Sequence, residues 1–171
     1  MNETAEDPRV LLLLGLLRQQ EMHGYQLNEF LLDELAACIS IKKPTAYYLL
    51  RKLSERGWVS ESSEQEGNRP PRRVYRITPQ GEAAFMRLLR ELLPRYELTY
   101  FDNDLPLAYL HELPAQEAKS LLSRRRERIL AAQQALQAVP PHQGSVQWLI
   151  EHQRRHIELE LHLLDEILAT L

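Results

Sequence analysis

The chain has 171 residues, enough for one or two domains, and 44% of them are hydrophobic while 26% are charged. This composition predicts a folded globular protein and excludes disorder on a large scale. The single cysteine, Cys38, excludes an internal disulfide and is typical of a reducing compartment, so we expect a cytoplasmic protein. The apolar stretch Val10–Leu17 is too short to span a membrane and follows an acidic segment, so we expect neither membrane association nor a secretory signal.

The net charge of −3 is unevenly distributed along the chain. Residues 40–77 carry nine Lys and Arg against four Glu, a local net charge of +5, whereas the segments on either side are both acidic. A run of charges is by itself most often an ordinary solvated face. A basic segment inside an acidic chain is also typical of nucleic-acid binding, so the residues around it decide between the two interpretations.

Four helices and a β-hairpin are predicted for the first half of the chain. The starts of the helices are predicted near Pro8, Gly24, Pro44 and Pro79. The evidence is apolar residues at helical spacing, prolines suited to first turns and a threonine suited to an N-cap. Alternating residues predict strands at 58–61 and 73–77, around a loop rich in Ser, Glu, Gly, Asn and Pro. This order predicts a mainly α fold with a small two-stranded β-wing, a winged helix-turn-helix covering residues 1–93.

The second half, residues 94–171, is predicted to be a helical dimerisation domain. Two long helices, at about 114–138 and 144–170, follow an aromatic and proline-containing segment. The last helix repeats apolar residues every three or four positions, interrupted by Gln153, and a small neighbouring domain cannot cover so long a face. We therefore expect a homodimer. Five residues of the repeat are predicted to form its interface: Ile150, Ile157, Leu161, Leu164 and Leu168.

The first half resembles the PadR family of bacterial winged-helix regulators. The resemblance covers about residues 10–93 and is carried by the order and spacing of short motifs: His23-Gly24-Tyr25, Thr45 with Tyr47, Gly57, Tyr75, Thr78 and Gly81. The second half is similar, more loosely, to the helical dimerisation domain of one PadR subgroup. The resemblance implies a repressor that acts as a homodimer and releases DNA when a small-molecule effector binds.

Ten residues are predicted to contact double-stranded DNA: Lys42, Lys43, Thr45, Tyr47, Tyr48, Arg51, Lys52, Arg69, Arg72 and Arg73. The helix that begins at Pro44 presents several of them on its outer face, where they can read base edges in the major groove or hold phosphates. The two lysines precede the helix N-terminus, whose N–H groups also attract phosphate. The arginines of the wing are expected to hold phosphates or to enter the minor groove.

Other candidate sites have weaker support. Five aromatic residues are predicted to line an effector pocket or, alternatively, to form a plain interdomain core: Tyr96, Tyr100, Phe101, Tyr109 and Trp148. His152 and His156 lie four apart and could share a metal ion with Glu160, but a solvated helix face is the favoured interpretation. We therefore predict no metal site and no cofactor. The sequence contains neither a nucleophile elbow nor a phosphate-binding glycine loop, so we do not expect an enzyme.

The sequence thus predicts a sequence-specific, DNA-binding transcriptional regulator that acts as a homodimeric repressor. The alternative is a protein-interaction module, in which the winged helix is a scaffold and the C-terminal helices are the functional surface, without DNA binding. The positive charge of residues 40–77 favours the regulator.

Overall fold

The protein forms two compact units, Met1–Glu97 and Leu98–Leu171, each described here by itself. The computed structural model describes residues 7–23, 26–27, 41–65, 72–141 and 144–171. The elements of the first unit are helix α1 (Pro8–Gln19), strand β1 (Met22–His23), helix α2 (Lys43–Glu55), strands β2 (Val59–Glu64) and β3 (Arg72–Ile77), and helix α3 (Pro79–Leu92). Those of the second unit are a 3-10 helix (Asp102–Glu112) and helices α4 (Ala115–Gln137) and α5 (Val146–Thr170).

Helices α1, α2 and α3 enclose the core of the first unit and lie where the sequence predicts helices. Helix α1 begins after Asp7, whose carboxylate accepts a hydrogen bond from the Arg9 N–H at 2.9 Å. Leu13 and Leu14 of α1 are fully buried together with Leu50 and Leu53 of α2, so one face of α2 is fixed in the core. Cys38 and most of the predicted second helix lie outside the described residues. Gln26 and Leu27 of that helix are described, and both are helical.

The sheet is antiparallel, with the strand order β1-β3-β2. Strands β2 and β3 pair from Val59 opposite Ile77 to Glu64 opposite Arg72, which confirms the predicted pairing of the wing strands. Strand β1 adds a third strand at the other edge of β3, where Met22 lies opposite Tyr75. The sequence did not predict this strand, because a strand of two residues is too short to show alternation.

A tight junction joins α2, the wing and α3. Gly57 ends α2 with a φ of +70°, which glycine adopts without strain. The Thr78 hydroxyl donates a hydrogen bond to the Gly57 carbonyl at 2.6 Å and accepts one from the Gly81 N–H at 3.1 Å. A Cβ atom at Gly81 would overlap the carbonyl oxygen of Trp58. The wing is therefore held at a fixed position relative to α2.

In the second unit, helices α4 and α5 pack against each other. Their buried residues include Ala118, Leu122 and Leu136 of α4 and Ile150 and Leu164 of α5. Arg126 of α4 also pairs with Asp165 of α5 at 2.7 Å. Across the described ranges of both units, no helix is both long and apolar enough to cross a membrane. The mainly α fold with a small sheet matches the fold class that the sequence predicts.

Candidate nucleic-acid interface

The N-terminal end of α2 is exposed and basic. Lys42 precedes the helix with extended backbone angles, and Lys43 and Pro44 form its first turn. The Lys42 side chain forms no capping hydrogen bond with this turn. Backbone N–H groups at a helix N-terminus attract anions. Lys42 and Lys43 are both exposed, and neither forms an ion pair with a described residue. The positive helix end thus lies beside two ammonium groups that pair with no residue in the described ranges.

A groove of about 340 Å³ lies between α2 and the sheet, and we call it the recognition groove. It is lined by Pro44, Tyr47, Tyr48, Arg51, Glu61, Arg73 and Tyr75. Four residues that the sequence predicts to contact DNA share this surface: Tyr47, Tyr48 and Arg51 from α2, and Arg73 from β3. Residues that are 22 or more positions apart in the sequence are therefore brought to one face.

The Arg73 guanidinium is held over the recognition groove by the strands. Its Nη1 lies 3.0 Å from Glu61 Oε1, and its hydrogen bond with the Tyr75 hydroxyl, together with the Glu61 charge, raises its pKa above the usual value. Tyr75 itself is 2% exposed, and burial raises the pKa of its phenol. Because Arg73 is exposed, its pair with Glu61 is weak and a phosphate can replace the carboxylate as partner.

Tyr48 carries two cations beside its ring on the outer face of α2. The side chain is 46% exposed, with Lys52 Nζ 4.9 Å and the Arg51 guanidinium carbon 5.8 Å from the ring centroid. Both cations are exposed, and cation–π contacts at exposed sites stabilise the positions of such side chains only modestly. Arg51 also pairs with Glu55 at 3.6 Å, one turn further along the helix.

The remaining predicted DNA-binding residues are more scattered. Thr45 is half-buried in the first turn of α2, and Arg72 begins β3 opposite Glu64, in a second concavity that His23 also lines. Arg69 lies outside the described residues. Arg76, which the sequence did not assign a role, pairs with Glu21 and with Glu64, so both sides of its guanidinium are already occupied.

The five predicted effector-pocket residues belong to two different units of the chain, Tyr96 to the first and the other four to the second. Tyr100, Tyr109 and Trp148 are about 70% exposed or more, and so is Tyr96, which belongs to the first unit. Phe101 is 48% exposed and stacks on His156, with ring centroids 5.2 Å apart. A cavity of about 540 Å³ is present in the second unit, but none of the five lines it. In the described part of the chain, no group of three His, Cys, Asp or Glu side chains is placed to hold a metal ion.

The predicted dimerisation residues of α5 have different surroundings. Ile150 and Leu164 are 7% and 1% exposed within the single chain, where they belong to the core of the second unit, and their predicted contact with a partner chain stays a prediction. Ile157, Leu161 and Leu168 are half-buried. The large apolar residues that α5 leaves exposed are Trp148, Leu149, Leu159 and Leu163. We call these four the outer stripe. At about 100° per residue, Trp148, Leu159 and Leu163 lie on the side of α5 roughly opposite Ile150, and Leu149 lies at the edge of that side.

The fold and the basic surface together define the class: a winged helix-turn-helix protein with a helical C-terminal unit. Residues 13–87 match the "Transcriptional regulator PadR-like family". Residues 13–87 therefore carry a domain of this family of transcriptional regulators, as their motifs predict.

Known proteins similar to the chain include a curated regulator and solved structures. The "Negative transcriptional regulator PadR" of Bacillus subtilis (strain 168) is 28% identical over 109 residues, which are 64% of this chain and 60% of that protein. The match thus spans less than two thirds of the relative's length. The crystal structure of Bacillus subtilis PadR in complex with operator DNA has a TM-score of 0.83 at 22% identity and covers 96% of this chain and 99% of that one. Its complex with p-coumaric acid has a TM-score of 0.76 at 24% identity, covering 97% and 98%. These likenesses show that the fold is shared along almost the whole chain.

Proposed function

We propose that the protein is a transcriptional repressor that binds operator DNA as a homodimer and is released by a small-molecule effector. The observation that carries this proposal is the recognition groove, which joins Tyr47, Tyr48, Arg51 and Arg73 beside the uncapped, basic N-terminus of α2. The structural likeness to a PadR bound to operator DNA supports it. Because the PadR-like family consists of transcriptional regulators, the proposed activity is regulation and not catalysis.

Helix α2 is the element proposed to enter the major groove. Its buried face, with Leu50 and Leu53, anchors it to the core, so the opposite face projects as a rigid surface. Tyr48 with its two neighbouring cations would contact base edges there, as would Thr45 in the first turn. Lys42, Lys43 and the N–H groups of the first turn would bind phosphates, which fix the register without reading sequence.

The wing and Tyr47 are proposed to contact the DNA backbone. Arg73 would exchange Glu61 for a phosphate, and Tyr47, half-buried in the same groove, would donate its hydroxyl to a phosphate or a sugar. Arg72 and Arg69 would hold phosphates or enter the minor groove beside the wing. If about six phosphates are neutralised per half-site, the logarithm of the affinity falls with the logarithm of the salt concentration with a slope of about −5.

The second unit is proposed to form the dimer. The outer stripe of α5 exposes more apolar surface than a monomeric helix needs, and a second copy of the chain would cover it. Ile157, Leu161 and Leu168 are half-buried on the opposite side of α5, and their predicted contact with a partner chain stays a prediction. Two copies of α2 would then reach operator half-sites about one helical turn (~34 Å) apart. An effector would favour a dimer geometry that cannot span both half-sites.

The test of DNA binding uses fluorescence anisotropy at two salt concentrations. It compares the DNA upstream of the gene that encodes the chain with scrambled DNA. We expect the parent to prefer the upstream fragment and to lose affinity steeply as salt rises. Tyr47→Ala with Arg51→Ala should weaken specific binding at least tenfold, whereas Arg90→Ala, an exposed arginine of α3 outside the recognition groove, should change it less than twofold. Equal binding of the double variant and the parent would contradict the assigned interface. A folded parent that bound no DNA, in a genome-wide selection as well, would favour the protein-interaction module.

The test of dimerisation separates the two sides of α5. Leu159→Lys with Leu163→Lys places two charges on the outer stripe and should convert the dimer to a folded monomer in sedimentation experiments. Leu164→Ala removes a side chain that is 1% exposed and should instead lower the free energy of unfolding, by about 2–5 kcal/mol, while the dimer persists. A double variant that remains fully dimeric would contradict the proposed interface.

A further inference from the structure

The recognition groove contains a carboxylate on a surface that is otherwise suited to phosphate. Glu61 of β2 is the one acidic residue among the described residues that line the groove. A carboxylate beside DNA repels the phosphates, so a surface that served affinity alone would carry a neutral or basic residue at this position. Phosphate binding by itself therefore does not explain Glu61.

Strand register places Glu61 beside Arg73. Glu61 lies opposite Tyr75 in the ladder between β2 and β3. Because Arg73 precedes Tyr75 by two residues, Arg73 and Glu61 face the same side of the sheet as diagonal neighbours. Glu61 Oε1 lies 3.0 Å from Arg73 Nη1, and the Arg73 side chain is 69% exposed. An incoming anion can therefore reach the guanidinium from solvent while Glu61 occupies one side of it.

The Arg73 guanidinium has two partners of different character, one neutral and one charged. The Tyr75 hydroxyl accepts a hydrogen bond from it, and burial raises the pKa of this phenol, so the hydroxyl stays neutral at physiological pH. Tyr75 is fixed in the core, whereas an exposed ion pair such as that of Arg73 with Glu61 is weak. When a phosphate replaces Glu61, the buried hydroxyl can keep the guanidinium over the groove.

We propose that Glu61 is an internal competitor for the DNA phosphate: it occupies Arg73 in the free protein and thereby lowers the affinity for DNA of any sequence. Because the contact between Arg73 and phosphate replaces an existing ion pair, only the difference between the two contributes to binding. A weaker complex needs a smaller shift in dimer geometry to dissociate, so Glu61 makes the repressor easier to release. This inference rests on the proposed function and adds to it a residue that opposes DNA binding.

The alternative is that the pair only stabilises the hairpin, as cross-strand ion pairs do. The two interpretations predict different effects of Glu61→Gln, which keeps the size of the side chain and removes its charge. Loss of a stabilising pair would weaken DNA binding or leave it unchanged. Loss of an internal competitor would strengthen DNA binding.

The test measures DNA binding of the full chain by fluorescence anisotropy at about 150 mM salt, where distant charges are largely screened. The ligands are labelled DNA from upstream of the encoding gene and scrambled DNA. Glu61→Gln is compared with the parent and with Glu91→Gln, which removes the same charge from an ion pair with Arg87 on α3, outside the recognition groove. Glu61→Gln is also made in an Arg73→Gln background, and urea titrations check that each variant is folded.

We expect Glu61→Gln to raise the affinity for both DNA ligands by about two- to fivefold per half-site, the factor that corresponds to breaking an exposed ion pair. The factors multiply to about 4- to 25-fold for a dimer that uses both wings. Glu91→Gln should change the affinity by less than about twofold. In the Arg73→Gln background, the gain from Glu61→Gln should also fall below about twofold.

Three results would overturn the inference while the parent binds DNA. One is an unchanged or lower affinity of folded Glu61→Gln, and another is an equal gain in Glu91→Gln. The third is a full gain in the Arg73→Gln background, since Glu61 would then repel DNA directly instead of occupying Arg73. Each of these leaves the proposed function intact. If neither the parent nor any variant binds DNA, the proposed function fails and this inference fails with it.

Discussion

Replacing Lys42 and Lys43 by alanine tests the proposed DNA interface through its salt dependence. Both lysines are exposed at the N-terminal end of α2, and neither pairs with a described carboxylate. Within the described ranges, therefore, no carboxylate has to be displaced before these ammonium groups meet a phosphate. If the proposed interface is correct, removing them takes away two phosphate contacts per half-site and leaves the proposed base-reading face of the helix intact.

The expected magnitude follows from counterion release. Each phosphate contact contributes about −0.9 to the slope of log affinity against log salt concentration. A half-site with about six contacts has a slope of about −5.4, and the double variant, with about four, has a slope of about −3.6. When the salt concentration rises from 50 to 200 mM, the parent loses about three orders of magnitude of affinity per half-site and the double variant loses about two.

The assay is fluorescence anisotropy of labelled upstream DNA over a salt series, with scrambled DNA as the second ligand. The variant should lose affinity for both ligands alike, so the ratio of the two affinities stays within about twofold, because phosphate contacts carry no sequence information. Arg90→Ala with Arg95→Ala, which removes two exposed charges at the end of the first unit, is the matched control and should keep the parent slope. An unchanged slope in the lysine variant, or an equal change in the control, would refute the reasoning.

Three further predictions concern stability. Gly81→Ala should lower the free energy of unfolding by more than about 2 kcal/mol in urea titrations, because the added Cβ would overlap the Trp58 carbonyl. In the control Gly15→Ala, the added Cβ would lie 3.2 Å from a Phe85 side-chain carbon, so the free energy of unfolding should change by less than half as much. Thr78→Val should cost about 1–2 kcal/mol by the same measurement while Thr78→Ser costs little, since only valine loses both hydroxyl hydrogen bonds. Hydrogen bonds from Arg154 and Arg155 lower the pKa of Glu151 from 4.5 to about 2, so its stabilising effect is complete above about pH 4.5 and is lost as the pH falls toward 2. Thermal unfolding of Glu151→Gln should therefore differ from that of the parent at pH 7 and converge with it near pH 2; a constant difference would contradict this.

Much of the first unit could be predicted because its signals are local. Prolines that begin helices and a glycine that ends one fix the helix boundaries, and the alternation in 73–77 fixes a strand within one residue of its observed start. The groove contacts could be predicted only in part. Helix periodicity places Tyr48 and Arg51 on the outer face, but nothing local shows that Glu61 already holds Arg73, or that Glu21 and Glu64 hold Arg76. Such pairs depend on strand register, which arises from pairing between distant segments.

Helix α5 shows why periodicity alone cannot assign an interface. The helix has two apolar sides, and the sequence assigned the more continuous one, containing Ile150 and Leu164, to a partner chain. That side is the one most deeply buried within its own chain, where α4 and α5 pack together, because a helical hairpin needs a continuous apolar seam before any partner arrives. The less continuous outer stripe remains exposed, so it is the surface that a second copy can cover. A regular repeat therefore identifies the strongest packing face, and burial in the single chain decides which face is left for assembly.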